Sequence, residues 1–170
     1  MDGESQNSRA YYNFQAGTAG SGGTDLDQDN ANAPDTFCPL GWQLPYSGTG
    51  GDYYDQSKSW RYLFSLYGIT DISENATQVK SYPFSFVPGG AYYWQFARFY
   101  YFTIEGDYMS KTVYNGWGMY RFGIGSATIR FANMVNKNYG LSLRCVSDFT
   151  KDASEKPIEP PQTLPAKSQA

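Results

Sequence analysis

The sequence predicts an α+β domain in which one or two short helices and irregular loops precede an antiparallel C-terminal sheet, and three observations lead there. Trp60, Leu63, Phe64 and Tyr67 recur at i, i+3, i+4 and i+7, the single apolar stripe of a helix packed on a core. Beyond Pro83 the texture becomes aromatic and β-branched. There Tyr120, Phe122 and Ile124 alternate with their neighbours, as do the residues of Thr128 to Phe131 and of Leu141 to Val146, which is the pattern of half-buried strands. Two cysteines, Cys38 and Cys145, stand 107 positions apart and bracket these elements.

Taken in order, residues 1–10 are polar and read as a disordered N-terminal segment. Tyr11-Tyr12-Asn13-Phe14 suggests a short edge strand, and residues 17–34, rich in Gly, Asp and Asn, a long surface loop. Prolines and a glycine punctuate Phe37 to Pro45, which reads as an irregular core segment. The helix carrying the stripe takes Ser57 or Ser59 as N-cap and Gly68 as terminator. A second helix is expected from about Ser73 to Lys80, ahead of Pro83. Ser85–Val87, Ala91–Trp94 and Tyr100–Ile104 read as strands or aromatic loops, and Asn133 to Asn138 as a polar loop. The domain proper is assigned to residues 11–148. Residues 149–170, with four prolines among Lys, Glu and Gln, form a Pro-rich tail or linker.

Composition narrows the function. Aromatics make up 18% of the 170 residues and include 16 tyrosines, which fill strands but also supply contact area at recognition surfaces for little lost entropy. Net charge is −3 with no basic cluster, so nucleic acid is a poor partner. No apolar run is long enough for a transmembrane segment. The first residues show no signal peptide, so an exported protein is read as a mature form or as starting inside its precursor. With no histidine and no CxxC pair, zinc and haem have no ligand set. The two cysteines are either a disulfide or two buried thiols.

Three blocks carry a family pattern: Tyr12-Asn13-Phe14 followed by Ala16-Gly17-Thr18, then Cys38-Pro39-Leu40-Gly41-Trp42-Gln43-Leu44-Pro45, then Tyr139-Gly140-Leu141-Ser142-Leu143-Arg144-Cys145-Val146. In these the chain resembles the Fibrobacter succinogenes major paralogous domain (FISUMP), bacterial surface domains related to the C-type-lectin-like fold. The resemblance spans roughly residues 11–148. It implies a Cys38–Cys145 disulfide, export to the cell surface or outside the cell, and a binding role. Where relatives carry Tyr-Trp-Ser-Ser-Thr, this chain has Tyr108-Met109-Ser110-Lys111-Thr112, which puts the local packing in question. Such domains are similar in turn to the variable proteins of diversity-generating retroelements, where a C-terminal sheet and its loops carry variable side chains on a constant scaffold.

On that template Tyr120, Phe122, Ile124 and Ile129 face inward. The display set is Tyr114, Asn115, Trp117, Met119, Arg121, Thr128, Arg130, Asn133, Met134, Asn136 and Asn138, binding a protein or glycan. Trp42, Trp60 and Trp94 are assigned to the core. No catalytic role is assigned. General acid–base chemistry recruits His or paired carboxylates, there is no GxSxG elbow, and Glu105 and Asp107 are read as flanking a solvated turn at Gly106. Asp25, Asp27 and Asp29 alternate as in calcium loops. The EF-hand pattern fails at Asn30 and Thr36, leaving a looser Ca²⁺ site with Asp35 as the alternative to a solvated acidic loop. The rival to a binding module is a structural, self-assembling subunit of an envelope or fimbrial assembly.

Overall fold

A computed structural model describes residues 10–23, 33–48, 58–69, 76–81, 84–101 and 103–147. The elements along the chain are α1 (Phe14–Gly17), β1 (Trp42–Gln43), α2 (Trp60–Ser65), α3 (Ala76–Lys80), β2 (Ala91–Tyr93), a 3₁₀ turn (Trp94–Phe96), β3 (Arg98–Tyr100), β4 (Gly106–Asn115), β5 (Gly118–Ile124), β6 (Ile129–Asn136) and β7 (Val146–Ser147). The structure is α+β, with short helices and antiparallel sheets β4-β5-β6, β2-β3 and β1-β7.

The helix predicted from the apolar stripe is α2. Ser59 caps it by accepting the Tyr62 N–H. The far end closes in a Schellman motif: the Ile69 N–H donates to the Phe64 carbonyl (3.1 Å) and the Gly68 N–H to that of Ser65 (3.0 Å). Gly68 sits at φ +75°, a conformation a side chain would strain. Six residues cannot hold a helix on propensity alone. Packing supplies what is missing, since burying Trp60 and Phe64 contributes about 1.5–3 kcal/mol each. Tyr67 departs from the expected stripe. It lies beyond the last turn, half exposed, with its ring edge-on to Phe84 at 4.7 Å. The second helix is observed from Ala76, and residues 70–75 lie outside the described residues.

The central three-stranded sheet is covered on both faces. On one, Tyr108, Phe122, Ile124, Ile129 and Phe131 pack under Trp60, Phe64, Ile69, Ala76, Val79 and Phe86. On the other, Met109, Val113, Met119 and Val135 pack against Phe14, Ala33, Leu44, Ala91 and Leu141. The expectation of one inward and one displayed face is therefore corrected. Apolar residues occupy both parities of β4 and β5, as they must in a strand buried on both sides. Met109, at the position in question, is fully buried beneath Gly17.

Several other expectations change. Tyr12 makes a single antiparallel bridge to Leu141, and Phe14 opens α1, where the Asn13 side chain accepts the Ala16 N–H; a helix cap there ends the proposed edge strand. Of the segments read as strands or aromatic loops, Ser85–Val87 is loop. Residues 133–136, read as loop, belong to β6. The predicted strand Leu141–Val146 is broken up. Gly140, Leu141 and Ser142 bridge singly to Tyr92, Tyr12 and Tyr108, and only Val146–Ser147 pairs in a ladder, with β1. Cys38 and Cys145 form a disulfide with Cα atoms 5.8 Å apart, beside that β1–β7 pair.

Gly106 is not in a solvated turn. It is buried at the start of β4, where a Cβ would lie 2.7 Å from the Val87 carbonyl oxygen. Gly106→Ala should therefore lower stability by about 1–3 kcal/mol through overpacking against backbone, measured by urea unfolding. Asp107, its neighbour, is buried and ion-paired, as described below.

Candidate functional site

The open end of the central sheet is built by two turns that lock onto each other. At the β4–β5 turn the Asn115 side-chain oxygen accepts the N–H groups of Trp117 (3.2 Å) and Gly118 (2.9 Å). After β6 the Asn136 side-chain oxygen accepts the Asn138 N–H (2.8 Å), and the Lys137 N–H donates to the Trp117 carbonyl (3.0 Å). Trp117 is thus held by its own backbone on both sides while its indole stays 41% exposed.

Beside it the strands are irregular in a useful way. Between the pairs Met109↔Arg121 and Val113↔Met119, β4 carries two extra residues, and the Ser110 hydroxyl fills the gap by donating to the Tyr120 carbonyl (2.7 Å). Past this bulge Tyr114 stands 48% exposed, edge-on to Trp117 (6.4 Å) and to Tyr120 (5.3 Å). Met134 pairs across with Tyr120 and is also exposed. Tyr114, Trp117, Tyr120 and Met134 form one contiguous aromatic–thioether surface.

The structure sorts the predicted display set accordingly. Tyr114, Trp117 and Met134 come together. Asn115, Asn136 and Asn138 border them half-buried, with the Asn115 and Asn136 oxygens already used in turns. Thr128 and Arg130 lie at the other end of the sheet, where Arg130 pairs with Gly123. Asn133 pairs with Arg121 across a β5–β6 register shift. Met119 and Arg121 are buried and display nothing. Tyr120, assigned inward, is half-buried and belongs to the surface, because the helical cover of its face ends at Phe122. Alternation placed Tyr120 on the face of Phe122 but carried no signal for where the cover of that face stops.

Arg121 was misplaced for a clear reason. Its guanidinium forms an ion pair with Asp107 inside the domain, with side chains 10% and 0% exposed. Gly123 makes room for it, since a Cβ there would lie 3.3 Å from Arg121 Nη1. Burial pulls the Arg121 guanidinium below its ordinary value, opposed by Tyr93 and Glu105, and burial raises the Tyr93 phenol. Among the described residues Asp107 Oδ2 and Arg121 Nε find no hydrogen-bond partner.

Other cations also sit against aromatic rings, Lys137 fully buried over Phe14 at 5.8 Å among them. Lys111 reaches Gln43 Oε1 (3.4 Å) over the Tyr46 ring, and burial lowers its ammonium against the opposing pull of Asp35. Arg144 lies over Phe86 at 4.3 Å, where burial lowers it too.

Two tryptophans assigned to the core are on the surface: Trp42 is 47% and Trp94 50% exposed, while Trp60 is buried as expected. Trp42 stands in the two-residue strand β1 and Trp94 opens the 3₁₀ turn of the β2–β3 hairpin. A cavity of about 530 Å³ opens next to the disulfide, lined in part by Tyr12, Phe37, Val87, Tyr108 and Leu143.

Asp25, Asp27 and Asp29 lie outside the described residues, and Asp35 is exposed. Among the described residues there is no group of three or more carboxylate or thiol side chains placed to hold a metal, and no helix long and apolar enough to cross a membrane. Compared with known proteins, the chain matches no family model, no curated protein and no solved structure.

Proposed function

We propose that the chain is a surface-exposed bacterial ligand-binding module, adhesin- or receptor-like, with a C-type-lectin-like scaffold of the FISUMP type and no catalytic activity. The observation that carries this reading is the Tyr114–Trp117–Tyr120–Met134 surface. Large rigid side chains of the types that dominate binding hot spots are exposed together on a backbone held by turns and a bulge. Its ligand is a protein or a glycan. Flanking amides at Asn115, Asn136 and Asn138 supply polar contacts at the rim. Export fits a disulfide that closes almost the whole domain. Side chains at these positions are the ones a retroelement would diversify. A reverse transcriptase gene beside a near-repeat of the codons for this sheet is the expected genomic signature.

The test is ligand capture by the immobilised protein on a glycan array and on intact cells. Tyr114→Ala with Trp117→Ala should weaken capture about thirtyfold or more, the effect of a hot-spot residue worth about 2 kcal/mol. Tm should stay within about 3 °C. Unchanged capture overturns the assignment of the surface, and a large drop in Tm makes these residues core. The alternative of a self-assembling envelope subunit has one observation in its favour: Phe37, Leu40 and Trp42 are exposed close together in sequence around Cys38. Light scattering that shows mass rising with concentration would favour it.

A further inference from the structure

A second surface has a different chemistry. The β2–β3 hairpin pairs Ala91↔Tyr100, Tyr92↔Phe99 and Tyr93↔Arg98, and the 3₁₀ turn at its tip exposes Trp94 and Phe96. It is aromatic on both sides. Tyr92 meets Phe99 edge-on with Tyr11 beside it on one, while on the other Tyr93, stacked on Tyr139 of the domain at 4.2 Å, meets Tyr100, where Phe96 and Tyr101 join them. Trp94, Phe96, Phe99, Tyr101 and Ile104 are all exposed, at 36–60%.

From residue 84 to residue 104 the sequence holds a single charged side chain, Arg98, in a protein of net charge −3. Even that guanidinium is folded onto Tyr100, 4.5 Å from the ring centre and 2.6 Å from its hydroxyl. The hairpin is held along its β2 edge, where Tyr92 and Gly140 exchange two backbone hydrogen bonds of 2.8 Å. Ala97, Tyr101 and Thr103 all hold positive φ without being glycine, a local strain that the fold maintains and that a mere connection would not need.

We propose that this hairpin is a membrane-surface anchor that inserts its tip into the headgroup and upper acyl region of a lipid bilayer. A bilayer takes up a tip that exposes Trp94 and Phe96 beside Phe99, Tyr101 and Ile104 and carries no acidic side chain. Trp and Tyr are the side chains that favour this zone, with rings in the apolar part and Nε1–H or hydroxyl groups at the polar boundary. The absence of acidic side chains removes the repulsion an anionic membrane would impose. The backbone limits the depth: among the described residues β3 pairs only with β2, and its outer groups need the wet interface and not the dry core. The surface shares no residue with the Tyr114–Trp117 patch, so either assignment can fail without the other.

The experiment is co-sedimentation of the full chain with phosphatidylcholine vesicles. Partition is expected, with little change up to about 0.5 M salt, where electrostatic attachment would be screened away. Trp94→Ser with Phe96→Ser should lower the partition coefficient at least about tenfold, the scale of removing two interfacial aromatics. Tyr114→Ala with Trp117→Ala should leave it unchanged. Should the double serine variant lose its fold, the wild type still decides. Lipids brominated near the top of the acyl chain should quench tryptophan emission in the wild type and in Trp117→Phe, and markedly less in Trp94→Phe. No partition, partition indifferent to Trp94 and Phe96, quenching independent of Trp94, or capture of a soluble oligosaccharide by the hairpin without vesicle binding would each overturn the proposal.

Discussion

Asp107→Ala is expected to destabilise the domain by about 3–5 kcal/mol, because it leaves the Arg121 guanidinium buried and without its counter-charge. Arginine cannot escape this by losing its proton at any ordinary pH, so the full desolvation penalty falls on the folded state. Urea unfolding at neutral pH measures it. Replacing both partners with apolar side chains of similar volume, Asp107→Leu with Arg121→Met, should recover most of the loss, since the penalty belongs to the unpaired charge and not to the absence of the pair. The site is tight: a Cβ at Gly123 would lie 3.3 Å from Arg121 Nη1 and 3.6 Å from Asp107 Oδ1. A single-variant loss below about 1 kcal/mol would mean that water reaches the pair and that Arg121 is available at the surface after all.

Removing the disulfide is the second large effect. Cys38→Ser with Cys145→Ser should reduce stability by about 4–5 kcal/mol, the chain-entropy contribution of a bond that closes a loop of this length. The bond does more than link two distant positions. It sits beside the β1–β7 pair, a ladder of two residues per strand that could not persist alone, and holds the segment Tyr139–Ser147 where it bridges to Tyr92, Tyr12, Tyr108 and β1. Denaturant unfolding with and without reductant reads this directly. A difference under about 1 kcal/mol would show that the bridges through Gly140, Leu141 and Ser142 suffice without the covalent tie.

The two effects mark where the sequence was legible. Helix α2 was readable because its signals are local: Ser59, one of the two serines offered as its cap, a stripe at helical spacing and a glycine that must take positive φ. That β5 and β6 are antiparallel strands followed from alternation for the same reason. The cysteine motifs pointed to the bond through resemblance, since two cysteines alone leave buried thiols as an alternative.

The candidate site was legible only in part. Tyr114, Trp117 and Met134 were chosen correctly as surface residues, but on the assumption of a sheet with one open face. Met119 and Arg121 failed with that assumption, since α1, Leu44 and Leu141 cover the second face from distant points in the chain. Arg121 looked like a displayed cation, and nothing near it in sequence announces that Asp107 lies across the strand pair.

What the sequence by itself determined, then, was the class of fold, the capped helix, the strand pair and the types of side chain available for binding, all set by interactions within a few residues. Which aromatics face solvent was decided only by tertiary structure. Tyr120 and Phe122 occupy the same parity of the same strand, and one is open while the other is sealed because the cover supplied by Trp60 and Phe64 ends between them. Trp60 and Trp94 differ in the same way. Exposure is a property of what packs on top, and that is settled by contacts between residues far apart along the chain.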